Sequence, residues 1–299
     1  RGELGLINLR IFVGQIEEEI GPAEEGRFTE LYTKILEDLN QARELAPANY
    51  LNWLILGRAN EFVISLTSLD NRPGFYKEAK LFYEKALDLN PRQPLIYGDL
   101  IRLNFLMDNQ AEASRWAEEV LKIKPNYVPA VLFLAEIDFK AEQYKLVEDR
   151  LVEFYNNYPT TVDIKAVLSL LGTFYYTENR FEEAIEVFRE ILRRDYQDSL
   201  ALYYGALTSA ELGETNQASR FLTDLAVNFR SQATAIETIE KMQANLRAGR
   251  SILFGLEAEE AEVVDLDTEL ESTGEDEDLI LGTETDLVES EETVVELVD

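Results

Sequence analysis

Side-chain catalysis needs a nucleophile beside a base, carboxylates set apart by their surroundings, or a ligand set for a metal. This chain marks none of these. It has no histidine and no cysteine, which removes imidazole chemistry, thiolates, disulfides and zinc sites built on either residue. Neither a glycine-rich phosphate loop nor a nucleophile elbow is present, and the many carboxylates read as solvated helix faces. No cofactor or metal is expected, and the chain reads as non-enzymatic. What does recur is a set of recognition groups. Phe105 and Phe139 stand 34 residues apart and Tyr176 follows 37 later, while Arg102 precedes Phe105 by three as Arg58 precedes Glu61. With Phe62, these residues would line a surface for an extended or helical peptide carrying apolar anchors and an acidic residue. The alternative is that the aromatics pack between helices and the arginines pair with nearby Glu.

The elements that would position them repeat with one period. The stretch Glu78–Pro91 reads as a helix closed by proline, and Pro125 and Pro159 follow at steps of 34 residues. Ala79, Ala113 and Val147 keep the same step, and Ala184 and Ala218 continue it further on. A fixed step of this size marks stacked helix–turn–helix units. Residues 1–49 are expected as a divergent opening pair, with Leu4, Ile7, Ile11 and Ile16 on the first helix and Leu31, Ile35, Leu39 and Ala42 on the second. Five units follow, at 50–91, 94–125, 128–159, 165–196 and 199–230. The first carries about ten extra residues, and Ser65–Tyr76, centred on Asp70-Asn-Arg-Pro-Gly74, is expected as an exposed loop. Residues 231–249 form a capping helix begun by a capping box, Thr234-Ala-Ile-Glu237, with Ile236, Ile239, Met242 and Leu246 inward and Gly249 as its stop. Residues 250–299 read as a disordered acidic tail in which short apolar clusters such as Leu279-Ile-Leu281 never sustain helical spacing.

Trp53-Leu-Ile-Leu56-Gly57-Arg-Ala-Asn60 resembles the tetratricopeptide (TPR) pattern W-x2-L-G-x2-Y, with Asn60 in the aromatic's place. Leu171, Gly172, Tyr175, Ala184, Phe188 and Ile191 resemble it more cleanly. The resemblance implies an all-α, right-handed superhelix of about six helix pairs plus the capping helix, a scaffold for protein–protein contacts whose concave groove is lined by the first helix of each unit. The Asn and Lys set of the two-carboxylate clamp found in chaperone-binding members is missing. A narrower likeness covers about residues 5–250, through the run Ala46–Gly57 and the ending Ala244–Gly249. Those runs look like the TPR region of large bacterial membrane proteins, some similar to O-antigen ligases or polymerases. That likeness implies an accessory domain of a membrane-bound glycan ligase or polymerase, tethered through a region preceding Arg1, with the catalytic part absent from this chain.

Charge limits the partners. The formal net charge is −30, and residues 257–299 hold 19 acidic and no basic residues, leaving 28 basic against 39 acidic ones in the first 256. Phosphate binding needs clustered Lys and Arg, so nucleic acid is not expected. No apolar run approaches the roughly 18 residues of a membrane span, so direct membrane insertion is not expected either. The expected partner is a protein or peptide segment, and composition does not choose a compartment.

Overall fold

Prolines and small residues decide where these helices begin and how closely they approach. The computed structural model describes residues 25–66 and 71–256, and among them it holds twelve α-helices and no strand. These are α1 (Glu25–Leu45), α2 (Tyr50–Leu66), α3 (Arg72–Leu89), α4 (Pro94–Leu106), α5 (Gln110–Ile123) and α6 (Val128–Lys140). They continue as α7 (Tyr144–Asn157), α8 (Ile164–Thr177), α9 (Phe181–Arg194), α10 (Ser199–Glu211), α11 (Thr215–Asn228) and α12 (Ala233–Arg247). Pro73, Pro94 and Pro129 lie in the first turns of α3, α4 and α6, where a missing N–H costs nothing. The expected first helix at 3–20 and the acidic tail from residue 257 lie outside the described residues.

The chain divides into two compact units, Arg1–Val147 and Glu148–Asp299, the division falling within α7. In the first, α2 packs on α3 and α4 on α5; in the second, α8 packs on α9 and α10 on α11. Each is a short solenoid of helix pairs, as the period predicts. The first unit's core runs through Leu54, Tyr83, Leu100, Leu103, Ala113 and Val120, with a satellite of Ile35, Leu39, Ile55, Leu56 and Ala59 between α1 and α2. The second unit's core runs through Leu202, Ala218, Leu222, Leu225, Ile239 and Met242.

Two devices recur from pair to pair. One is a small residue opposite a large one: a Cβ on Gly57 would stand 2.4 Å from the Tyr83 ring, and one on Gly172 would stand 2.6 Å from Phe188. At matching positions the sizes are exchanged or evened, with Ile101 and Ala117, then Ala206 and Leu222, all fully or almost fully buried. The other device is the end of the first helix. Asp108, Glu142, Asn179 and Gly213 have φ of 55°, 58°, 57° and 75°. In each case the next N–H reaches back five residues, from Asn109 to the Asn104 carbonyl, Gln143 to Asp138, Arg180 to Tyr175 and Glu214 to Ser209, each at 2.8 Å. This is the Schellman closure, which satisfies carbonyls the helix leaves open.

Three local expectations are corrected. The inserted residues of the first pair do not form one long loop. α2 and α3 have 17 and 18 residues where α4 and α5 have 13 and 14, so most of the insertion is one extra helical turn on each side. Pro73 lies in the first turn of a helix and not in the loop that the run Asp70–Gly74 suggests. The capping box does not form: Gln232 is the N-cap of α12 without a side-chain bond, and Thr234 lies inside the helix, its carbonyl accepting from the Thr238 hydroxyl at 3.1 Å. Finally, the packed chain runs past residue 249. α12 ends in the same closure as the first helices, with Gly249 at φ 67° and the Arg250 N–H on the Asn245 carbonyl at 3.0 Å. Buried Asn245 then donates to the carbonyls of Ile252 and Phe254 at 3.2 and 2.8 Å, and Ile252 is buried in the core.

Candidate functional site

The recognition residues of the first unit lie on α2, α4 and α6, the first helices of successive pairs. α2 and α4 are largely apolar, so a charge on their packed sides must find a partner or carry a desolvation cost of several kcal/mol. Arg58 and Arg102 find partners. The Arg58 Nε donates to Asp99 at 2.9 Å, and the Arg102 Nη2 donates to the other Asp99 oxygen at 2.7 Å. Arg102 also grips Glu61 with both arms, Nε at 2.7 Å and Nη2 at 3.0 Å. The Tyr83 hydroxyl of α3 donates to the same Glu61 carboxylate. Asp99 and Glu61 are deeply buried, with side-chain exposures of 2% and 8%; Arg58 is 11% exposed and Arg102 47%.

The network ties α2, α3 and α4 together, and its electrostatics follow from burial. Desolvation raises the Glu61 carboxyl above the usual carboxylate range, with Asp99 adding to the rise and Arg102 opposing it. The Tyr83 phenol is raised well above its ordinary value, first by burial and then by the charge of Glu61. Tyr127 belongs to the same surroundings: a Cβ on Gly98 would stand 2.5 Å from its hydroxyl, and burial with the Asp99 charge pushes it up to about 12. The structure therefore brings Arg58 and Arg102 together, Arg102 on a nearby Glu as the alternative reading expects, and both on Asp99, which that reading does not include. A signal was available: Arg58 with Glu61, and Asp99 with Arg102, are opposite charges three residues apart on otherwise apolar helices.

The aromatic residues separate into two groups. Phe105 and Phe139, at matching positions near the ends of α4 and α6, are 41% and 42% exposed. Phe105 meets Phe133 edge to face at 5.8 Å and carries the Lys140 ammonium 5.2 Å from its ring centre. Phe139 lies 5.6 Å from Tyr144. Phe62 is instead half-buried against the Ile35–Leu39 satellite core. In the second unit Tyr176 is half-buried, 5.7 Å from Phe181 and 5.5 Å from Tyr204. A smaller polar cluster sits nearby, where Glu148 accepts from the Tyr175 hydroxyl at 3.2 Å and from Arg180 at 2.9 Å.

The charged groups of this arrangement are bonded to one another. Among the described residues no group of three or more acidic side chains could hold a metal, and no helix is long and apolar enough to cross a membrane. What it offers is a surface of exposed rings on a rigid helical support, beside charges already bonded to each other.

Comparison with known proteins places the repeat. The family model for the tetratricopeptide repeat matches residues 74–93 and 166–198. No curated protein sequence matches the chain. Among solved structures, PilW, titled a widely conserved type IV pilus biogenesis factor, is similar at 17% identity, covering 79% of this chain and 98% of that one with a TM-score of 0.50. A tetratricopeptide repeat protein from Parabacteroides merdae is similar at 14% identity over 92% of this chain and 97% of that one, with a TM-score of 0.48. YrrB, titled a TPR protein with an unusual peptide-binding site, is similar at 17% identity over 69% of this chain and 99% of that one, with a TM-score of 0.45. At 17% identity the likeness to PilW is one of fold, and none of these three structures is titled as a glycan ligase or polymerase.

Proposed function

Taking the chain as a series of tetratricopeptide-like helix pairs, we propose that it is a non-catalytic scaffold that holds a peptide or protein segment on the first-helix face of its first unit. The observation that carries this is the pair Phe105 and Phe139, large rings left exposed at matching positions of consecutive repeats. On the same helices Tyr97 and Leu103 of α4 are buried and Phe133 of α6 is half-buried, while Leu106, next to Phe105, is exposed with it. Exposed aromatics on a preorganised support are what binding hot spots are made of.

The arginines enter this reading differently from the way their spacing suggests. Arg58 and Arg102 are committed to Asp99 and Glu61, so their task is to fix α2 against α4 and thereby the rings that follow. Affinity capture with the full chain tests the scaffold role. Proteins retained by the wild type should be lost when Phe105 and Phe139 are both changed to Ala, with helical content unchanged. Capture of the same set by the double variant would place recognition elsewhere.

A further inference from the structure

The charges on the Phe105–Phe139 face define the partner more narrowly. The arginines of α2 and α4 and the lysine over the Phe105 ring are already matched: Arg58 and Arg102 by Asp99 and Glu61, and Lys140 by Glu136. Three residues past each exposed ring stands an exposed acid, Asp108 after Phe105 and Glu142 after Phe139. Neither has an ion-pair partner among the described residues. Both occupy the left-handed closing position of their helices, at φ 55° and 58°, so their register beside the rings is the same in both repeats. The matching position after Tyr176 holds uncharged Asn179.

We infer that the segment bound on this face is basic and apolar, a partner whose Leu- or Phe-like anchors cover Phe105 and Phe139 while its Lys or Arg residues meet Asp108 and Glu142. This rests on the scaffold reading above and adds the sign of the partner's charge. It reverses the acidic ligand that the bare spacing of Arg58 and Arg102 suggests. The Phe105 ring already shows the chemistry in miniature, since it accepts the Lys140 ammonium over its face as an aromatic ring accepts a cation. A cationic partner is also steered by the net charge of −30. The chain's own segment from 257 to 299, with 19 acids and no base, is ruled against as occupant by like charge.

The test uses two fluorescent model peptides of about 18 residues with one amphipathic pattern, one of Leu and Lys and the other of Leu and Glu. Each is titrated by anisotropy against the full chain at physiological salt. The Leu/Lys peptide should bind, the Leu/Glu peptide should not. Phe105→Ala with Phe139→Ala should weaken the Leu/Lys peptide about tenfold or more, and Asp108→Asn with Glu142→Gln about fivefold. All four side chains are exposed, so both variants should keep the wild-type circular dichroism. Loss in the ring variant with no change in the acid variant would leave the scaffold reading standing and overturn the charge assignment. Equal or tighter binding of the Leu/Glu peptide would overturn that assignment too. A Leu/Lys affinity untouched by either variant would show the peptide held elsewhere on an acidic chain, and both readings would fall.

Discussion

Asp99→Ala is the sharpest test of how the first unit is held together. Asp99 is 2% exposed and accepts from Arg58 at 2.9 Å and Arg102 at 2.7 Å. Its removal leaves the two arginines in different positions. Arg102 is 47% exposed and keeps Glu61, so water and the remaining acid compensate most of its loss. Arg58, at 11% exposed, is left as a buried charge without its acid, and breaking such a pair costs about 3–5 kcal/mol. The chain's two tryptophans, Trp53 on α2 and Trp116 on α5, are both in this unit, so tryptophan fluorescence during urea unfolding reports it directly. With a urea slope of about 1–3 kcal/mol per molar, the fluorescence midpoint should fall by about 2 M. The companion variant joins Asp99→Leu to Arg58→Met, which removes both charges and fills the space with apolar atoms. It should recover most of the loss, because replacing a buried pair is far milder than breaking one. A loss below about 1 kcal/mol for Asp99→Ala would refute the reasoning. So would a paired replacement as unstable as the single change.

Other consequences can be read the same way. Gly172→Ala places a Cβ 2.6 Å from the fully buried Phe188 ring and should cost about 1–3 kcal/mol by calorimetry, whereas Gly74→Ala, with nothing within 4 Å of its Cβ, should cost nothing. Glu142→Gly relieves a left-handed backbone at φ 58° and should stabilise by about 0.5–1 kcal/mol; a lowered melting temperature would argue against strain there. Glu61 is raised in the folded chain, chiefly by burial, so it binds its proton more tightly folded than unfolded. Its contribution to stability is then full below the unfolded-state pKa and is lost as pH rises through the folded-state value. Measured against Glu61→Gln, which does not titrate, the wild type should lose relative stability from about pH 4 toward neutrality, and a relative gain over that range would contradict the assignment. Ile252→Ala should cost about 2–4 kcal/mol, since Ile252 is a core residue of the second unit.

How much of this was legible in the sequence differs from feature to feature, for physical reasons. The repeat was legible because Pro91 and Pro125, like Ala79 and Ala113, stand 34 residues apart, and four of the pairs close their first helix in the same way. The insertion was misread because Pro73 has two meanings, loop punctuation or a first helical turn, and only the length of the neighbouring helices decides between them. The run past Gly249 was hidden for a related reason. Gly249 does stop α12, but buried Asn245 then donates to two carbonyls beyond the stop, and no local pattern announces that. Asp99 was the most consequential omission. Its equivalents one repeat away are Ile55 and Phe133, so a reading built on matching positions has no reason to look for a carboxylate there.

That omission changes what the arginines mean. Read by spacing, Arg58 and Arg102 are two cations on a recognition face, and reversing both charges looks like a clean test of ligand binding. Read with Asp99 and Glu61 in place, the same change sets four carboxylates against one another in a region where two of them are already 2% and 8% exposed. Like charges so placed cannot all stay ionised, so α2 and α4 would part before any ligand was consulted. Arginines on a first-helix face are therefore a statement about a partner only after the acids within reach have been counted. Here that count leaves the exposed rings flanked by Asp108 and Glu142, and the sign of the face follows from the residues that remain, not from those that first attract notice.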